Sequence, residues 1–211
     1  MSKRWVFSPP NKTLQFEIAS KLKISPLMAQ LLINRGVTDV TSAKNFLQPQ
    51  LAALADPSLL PDIEKASIRI NEAVRKGENI VIYGDYDVDG LSATALMYRC
   101  LKLLGAQVSY YIPERLEEGY GLNADAIKKL KAGGADVILT VDCGINAYHE
   151  ADIARTYGID LIITDHHQPG QQIPNAFAVV NPKLMTSSNV FRDLSGVGIA
   201  FKLAWAIGQH F

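Results

Sequence analysis

Asn79-Ile80-Val81-Ile82-Tyr83-Gly84-Asp85-Tyr86-Asp87-Val88-Asp89-Gly90 is the stretch whose reading decides the fold. Its first half is short, apolar and β-branched, with no polar alternation. That pattern predicts a strand buried on both faces. Residues 91–104 are mostly apolar and end at Gly105, which predicts a helix straight after the acidic turn. Working outward, the same alternation repeats. Residues 61–76 place Ile63, Ala66, Ile70, Ala73 and Val74 on one helical face, with Pro61 before and Gly77 after. Further strands are expected over 107–112, 136–141, 159–164 and 176–180, and helices over 123–132 and 146–157. Strands alternating with helices of about ten to fifteen residues imply crossover connections and parallel pairing. The expected class is α/β: a mostly parallel five-stranded sheet with helices on both faces, over residues 61–211.

Residues 1–60 read differently. Up to Lys23 there are five basic residues against one acid, Glu17. Ile24, Leu27, Met28, Leu31 and Leu32 then recur at helical spacing, opened by Ser25-Pro26 and closed by Gly36. A second short helix is expected over 41–47, and the proline-rich stretch 48–61 reads as a connector. These residues form a small helical leader. At the other end, Ser195 to Gly198 read as a glycine turn opening a helix. That helix runs to Phe211 without a cap, and the expectation is that the chain is part of something longer.

Composition narrows the classes. Lys plus Arg is 21 and Asp plus Glu is 21, so no bulk charge argues for nucleic acid or an anionic membrane. Hydrophobic residues are 48% and charged residues 20%, as in an ordinary globular domain. No apolar run approaches the ~18 residues of a membrane span, and the N-terminus lacks a signal-peptide core. Cys100 and Cys143 suggest neither a disulfide scaffold nor a zinc site. A cytoplasmic protein with no membrane partner is expected.

In an open parallel sheet, ligands bind beyond the carboxyl ends of the strands. Here those ends carry Asp85, Asp87 and Asp89, then Asp142, then Asp165-His166-His167. Five aspartates and two histidines thus meet from distant segments. Carboxylates so close repel one another unless cations neutralise them. Oxygen and imidazole ligands suit Mn²⁺ or Mg²⁺, and less selectively Fe²⁺, Co²⁺ or Zn²⁺. Such a set could hold two ions, which makes a phosphoester or phosphoanhydride hydrolase the leading class. Each piece also has a plainer reading. An aspartate after a strand is often a helix N-cap, and a His-His pair is often structural. The first motif resembles the opening of an EF-hand loop, but a strand precedes it and Leu96 stands where a glutamate is needed. An aspartyl-phosphate phosphatase would also use Asp-x-Asp after a strand, yet gives the His pair no role.

GDYDVDG, VDCG and TDHH together resemble the DHH phosphoesterase superfamily and, within it, the bacterial RecJ-type single-strand DNA exonucleases. IPERLEEGYGL (112–122), VNP (180–182), LSGVGIAFKL (194–203) and the leader ISPLMAQLLINRG extend the match over nearly the whole chain. The resemblance implies that Asp87 and Asp89 bind metal, with Asp85 as a further ligand, and that Asp142 is shared between two Mn²⁺ or Mg²⁺ ions. It implies that His166 binds one metal, that His167 touches substrate phosphate or a metal, and that Asp165 orients an imidazole. The catalytic set is then Asp87, Asp89, Asp142, His166 and His167. Arg115 is a candidate phosphate contact and Tyr120 a candidate base-stacking residue. The turn Gly196–Gly198 reads equally as a phosphate-attracting helix start or as tight packing. The implied activity is release of 5′-mononucleotides from the 5′ end of single-stranded DNA, in repair and recombination; no accessory repair protein is named by the residues. A fourth-motif aspartate, expected beyond the glycine turn, is not found before Phe211. A relative acting on cyclic dinucleotides or short oligonucleotides, and a non-catalytic metal- or DNA-binding fragment, remain the alternatives.

Overall fold

The computed structural model describes residues 4, 6, 9–114, 121–185 and 189–211. The chain forms two compact units, Met1–Ala55 and Asp56–Phe211.

The first unit holds three short helices: α1 (Lys12–Leu22), α2 (Pro26–Asn34) and α3 (Val40–Leu47). Each is opened by a side-chain cap, from Asn11, Ser25 and Asp39 respectively. Their small core is Ile18, Ala19, Ala29, Leu32 and Ala43. Helix α1 is absent from the sequence pattern. Its apolar residues form no clear stripe, and the cap at Asn11 was the available signal.

The second unit begins with α4 (Ile63–Lys76), closed by Gly77 in the left-handed region. It continues through β1 (Asn79–Tyr83), α5 (Val88–Leu103), β2 (Gln107–Tyr111), α6 (Ala124–Ala132), β3 (Val137–Val141), α7 (Tyr148–Thr156), β4 (Asp160–Thr164), β5 (Ala178–Val180) and α8 (Gly196–His210). The sheet order is β2-β1-β3-β4-β5, and every pairing is parallel. The expected class is therefore observed, with small differences at the ends. Helix α5 starts at Val88 rather than 91, because Asp87 caps it inside the acidic motif. Helix α7 starts at Tyr148, and β5 keeps three residues.

Side chains alternate across the sheet. Val81, Tyr83, Ile138, Leu161 and Ile163 pack with Ala126 and Ile127 of α6 and with Ala151 and Ala154 of α7. The opposite face carries Ile80, Ile82, Leu139 and Ile162, all fully buried, and there α4, α5 and α8 pack on one another and on the sheet. Both faces are covered, which is why the strands lack polar alternation. One bond joins two helices of this layer and another joins the layer to the sheet. Asn71 of α4 donates to the Ile207 carbonyl of α8 (3.1 Å), and the Val179 amide donates to Asp62 (2.9 Å). At the amino-terminal edge of the sheet, Arg69 bridges Glu78 and Asp160, each at 2.6 Å. Among the described residues no helix is long and apolar enough to cross a membrane.

Candidate metal centre

The chain passes from β1 outward to β2 and then returns to the other side of β1 as β3. That reversal opens a crevice beyond the strand ends, between β1 and β3. Asp85, Asp87 and Asp89 follow β1, Asp142 follows β3, and Asp165, His166 and His167 follow β4. The three loops are spatial neighbours because β1, β3 and β4 are adjacent.

Donor atoms of Asp85, Asp87 and Asp142 lie within 4.8 Å of one another, and so do those of Asp142, His166 and His167. Asp142 belongs to both groups. The His166 Nε2 is 3.1 Å from Asp142 Oδ1 and 3.7 Å from Asp89 Oδ2. The structure thus brings together all seven strand-end residues, with Asp165 behind the ring of His167.

Asp142 sits in the left-handed region, φ 63°, a costly place for a side chain with a Cβ. Its surroundings hold it there. Its amide donates to the Thr164 carbonyl (3.0 Å), Thr140 Oγ1 donates to the Cys143 carbonyl (2.8 Å), and Thr164 Oγ1 donates to the Thr140 carbonyl (2.7 Å). Burial, and then the charge of Asp89, push its carboxyl up to about 7. Burial likewise raises Asp85. A site that makes its own carboxylates hard to ionise is one that a cation would complete.

Asp165 is fully buried, and burial alone would raise it. The hydrogen bond from His167, with the amides of Ile145 and His167, instead holds it below the usual carboxylate range. Its Oδ1 accepts from the His166 amide (2.7 Å) and lies 2.7 Å from His167 Nδ1. An ionised Asp165 keeps the proton on Nδ1 and leaves Nε2 with its lone pair. The same bond raises the His167 pKa.

Two aspartates have structural duties as well. Asp87 Oδ1 accepts from the Asp89 and Gly90 amides, both at 2.9 Å, so the plain helix-cap reading holds there. Asp89 reaches across to α8, where Oδ2 accepts from the Gly196 amide (2.6 Å) and Oδ1 from the Val197 amide (2.8 Å). This decides the glycine turn. The first amides of α8 are taken by Asp89, and a Cβ on Gly196 would fall inside the Asp142 carboxylate. Close packing explains Gly196, and the helix start serves an internal anion.

Arg115 and Tyr120 lie outside the described residues. Two residues that site reasoning missed are Asn181 and Asn146. Buried Asn181 donates to the His167 carbonyl (3.0 Å). Asn146 Oδ1 accepts from the Gly170 amide (2.8 Å), fixing the far end of the His loop. The VNP stretch contained the first signal; the second had none in spacing. Beside His167 opens a cleft of about 290 Å³, lined by Leu122, Ile145, Asn146, Glu150 and Asp165 among others.

The chain matches the DHH family, N-terminal domain, over residues 79–210. It is 44% identical over 204 residues to the single-stranded-DNA-specific exonuclease RecJ of Bacillus subtilis, covering 97% of this chain and 26% of that one. Against the protein of that name from Thermus thermophilus the identity is 38% over 209 residues, covering 98% and 29%. Among solved structures, RecJ in complex with Mn²⁺ from Thermus thermophilus matches with a TM-score of 0.77 at 33% identity, over 97% of this chain and 28% of that one. A crystal structure of exonuclease RecJ bound to manganese matches with a TM-score of 0.68 at 38% identity, over 74% and 40%. The chain spans a little over a quarter of the length of these two curated relatives. It belongs to the DHH family.

Proposed function

We propose that this DHH-family chain is the metal-binding, phosphodiester-cleaving part of an exonuclease acting from the 5′ end of single-stranded DNA, in repair and recombination. On this reading residues 61–211 are the DHH domain and 1–60 a helical leader. The observation that carries it is the pair of overlapping donor groups that share Asp142. A lone cap or a lone histidine pair gives no reason for two such groups to meet on one buried carboxylate. The names of the relatives supply single-stranded DNA as the substrate class.

Asp85, Asp87 and Asp142 would hold one Mn²⁺ or Mg²⁺, and Asp142 with His166, and with Asp89 close by, would hold the second. The donor set fits, being carboxylate and imidazole without thiolate, with carboxyls that burial has made reluctant to ionise alone. Such an ion pair supplies Lewis-acid stabilisation at phosphorus and an acidified water. The chain's own residues do the rest. Asp165 fixes the His167 ring so that Nε2 faces the phosphate. Asn181 and Asn146 hold the loop that carries that ring. The cleft beside His167 receives the nucleotide being released. Two free cysteines, Cys143 fully buried, suit a cytoplasmic setting.

The test is Mn²⁺-dependent release of mononucleotides from 5′-labelled single-stranded DNA, with Asp142→Asn beside the parent protein. Loss of about 10²- to 10³-fold in rate is expected, the scale of removing one preorganised electrostatic group. An undiminished rate would refute the assignment.

A further inference from the structure

Away from the acid cluster, α5 and the edge strand β2 enclose a second groove. It has a volume of about 320 Å³ and is lined by Leu91, Tyr98, Arg99, Tyr110 and Ile112 among others. Nothing in the chemistry above uses it. Tyr110 is 58% exposed although it lies on a strand, and Leu91 is 45% exposed on the first turns of α5. The Tyr98 and Tyr110 rings meet edge to face, centroids 5.7 Å apart. That arrangement turns one ring across the other and leaves aromatic surface facing the groove. The Lys102 ammonium stands 5.5 Å from the Tyr98 ring centre. Arg99 is exposed and makes no ion pair among the described residues. Among the described residues no acid lines the groove.

Its position is set by the fold. Helix α5 begins at the cap Asp87 and carries Asp89 in its first turn. Nine residues at 1.5 Å each put Tyr98 about 14 Å along the helix from Asp89. Tyr110 and Ile112 sit at the carboxyl end of β2, on the rim where the acid cluster lies. The groove therefore lies near the rim that carries that cluster, on the side of the sheet that α5 covers.

Aromatic rings interleaved with cations, close to the rim that carries the acid cluster, are what a single strand needs: stacking for its bases and charge for its phosphates. We infer that the Tyr98–Tyr110 groove binds the single-stranded DNA flanking the scissile phosphate, with bases on the tyrosines and backbone along Arg99 and Lys102. This rests on the nuclease reading and extends it from the reacting phosphate to the rest of the strand. A peptide or a second copy of the chain is the other occupant, and the experiment separates them.

The test compares hydrolysis of 5′-phosphorylated oligothymidylates of two and fifteen nucleotides by the full protein and by Tyr110→Ser and Arg99→Gln, with thermal melting as the check of folding. Both replaced side chains are exposed, so the fold should persist. On the fifteen-mer, kcat/KM should fall about 5- to 150-fold for Tyr110→Ser, the worth of one stacked base, and Arg99→Gln should flatten its salt dependence. On the dinucleotide neither variant should differ from the parent. Equal loss on both substrates, or no loss on either, overturns the groove's role while leaving the nuclease reading intact. A parent protein that cleaves neither substrate refutes the nuclease reading itself, and the groove's role with it.

Discussion

Gly196 has no side chain because the Asp142 carboxylate fills the place where one would go. Gly196→Ala should force apart two elements that meet at the metal centre. The expected effect is about 1–3 kcal/mol of stability, the usual cost of overpacking, together with weakened Mn²⁺ binding by calorimetry. Gly198→Ala is the matched control, since its neighbour is the flexible side chain of Leu194, and it should bind Mn²⁺ as the parent does. Asp165→Asn tests the other side of the centre. Asparagine keeps one oxygen for the bonds from His166 and His167 but cannot also accept from the Ile145 amide, and it does not carry the charge that keeps the proton on His167 Nδ1. Metal affinity or activity should fall about 10- to 100-fold, as when an outer carboxylate behind a ligand is lost, with the far-ultraviolet circular dichroism unchanged. Equal activity in Asp165→Asn would remove the role given to that pair.

At the scale of elements, the unexpected link is from α5 to α8. Asp89 holds the first amides of α8 with both oxygens, so a residue of the acid motif also fastens two helices over 100 residues apart. Asp89→Ala should cost about 1–3 kcal/mol in urea unfolding with chelator present, the range for charge-assisted bonds, partly offset by relief of repulsion on Asp142. A metal-free variant as stable as the parent would contradict that reading. Apart from α1, the helices and strands were legible in the sequence. The run NIVIY, the glycines at 77 and 105 and the helical spacing of Ile63 to Ala73 each carry their own signal. What was not legible came from contacts across the chain. Nothing local shows that Asp89 would reach Gly196, that Asn146 would hold Gly170, or that Asp142 would adopt positive φ. A cap and a ligand also look alike in sequence, and Asp87 occupies the cap position of α5 within the acid cluster.

At the scale of the whole second unit, the two edges of the sheet divide the work. The amino-terminal edge carries Arg69 between Glu78 and Asp160, far from the acid cluster. Arg69→Met should lower stability by about 1–3 kcal/mol, less than a fully buried bridge because its partners are partly solvated. Mn²⁺ affinity should be unchanged, and a parallel loss would mean that the edges are coupled. The carboxyl edge carries the acid cluster, beyond the point where the strand order reverses. On the proposed reading, Asp142 joins two cation sites there. The direct measurement is an anomalous-difference map at the manganese edge from crystals soaked in Mn²⁺. Two peaks flanking the Asp142 carboxylate, one toward Asp85 and Asp87 and one toward His166, are the predicted result. Peaks elsewhere on the surface, or none at that carboxylate, would contradict it.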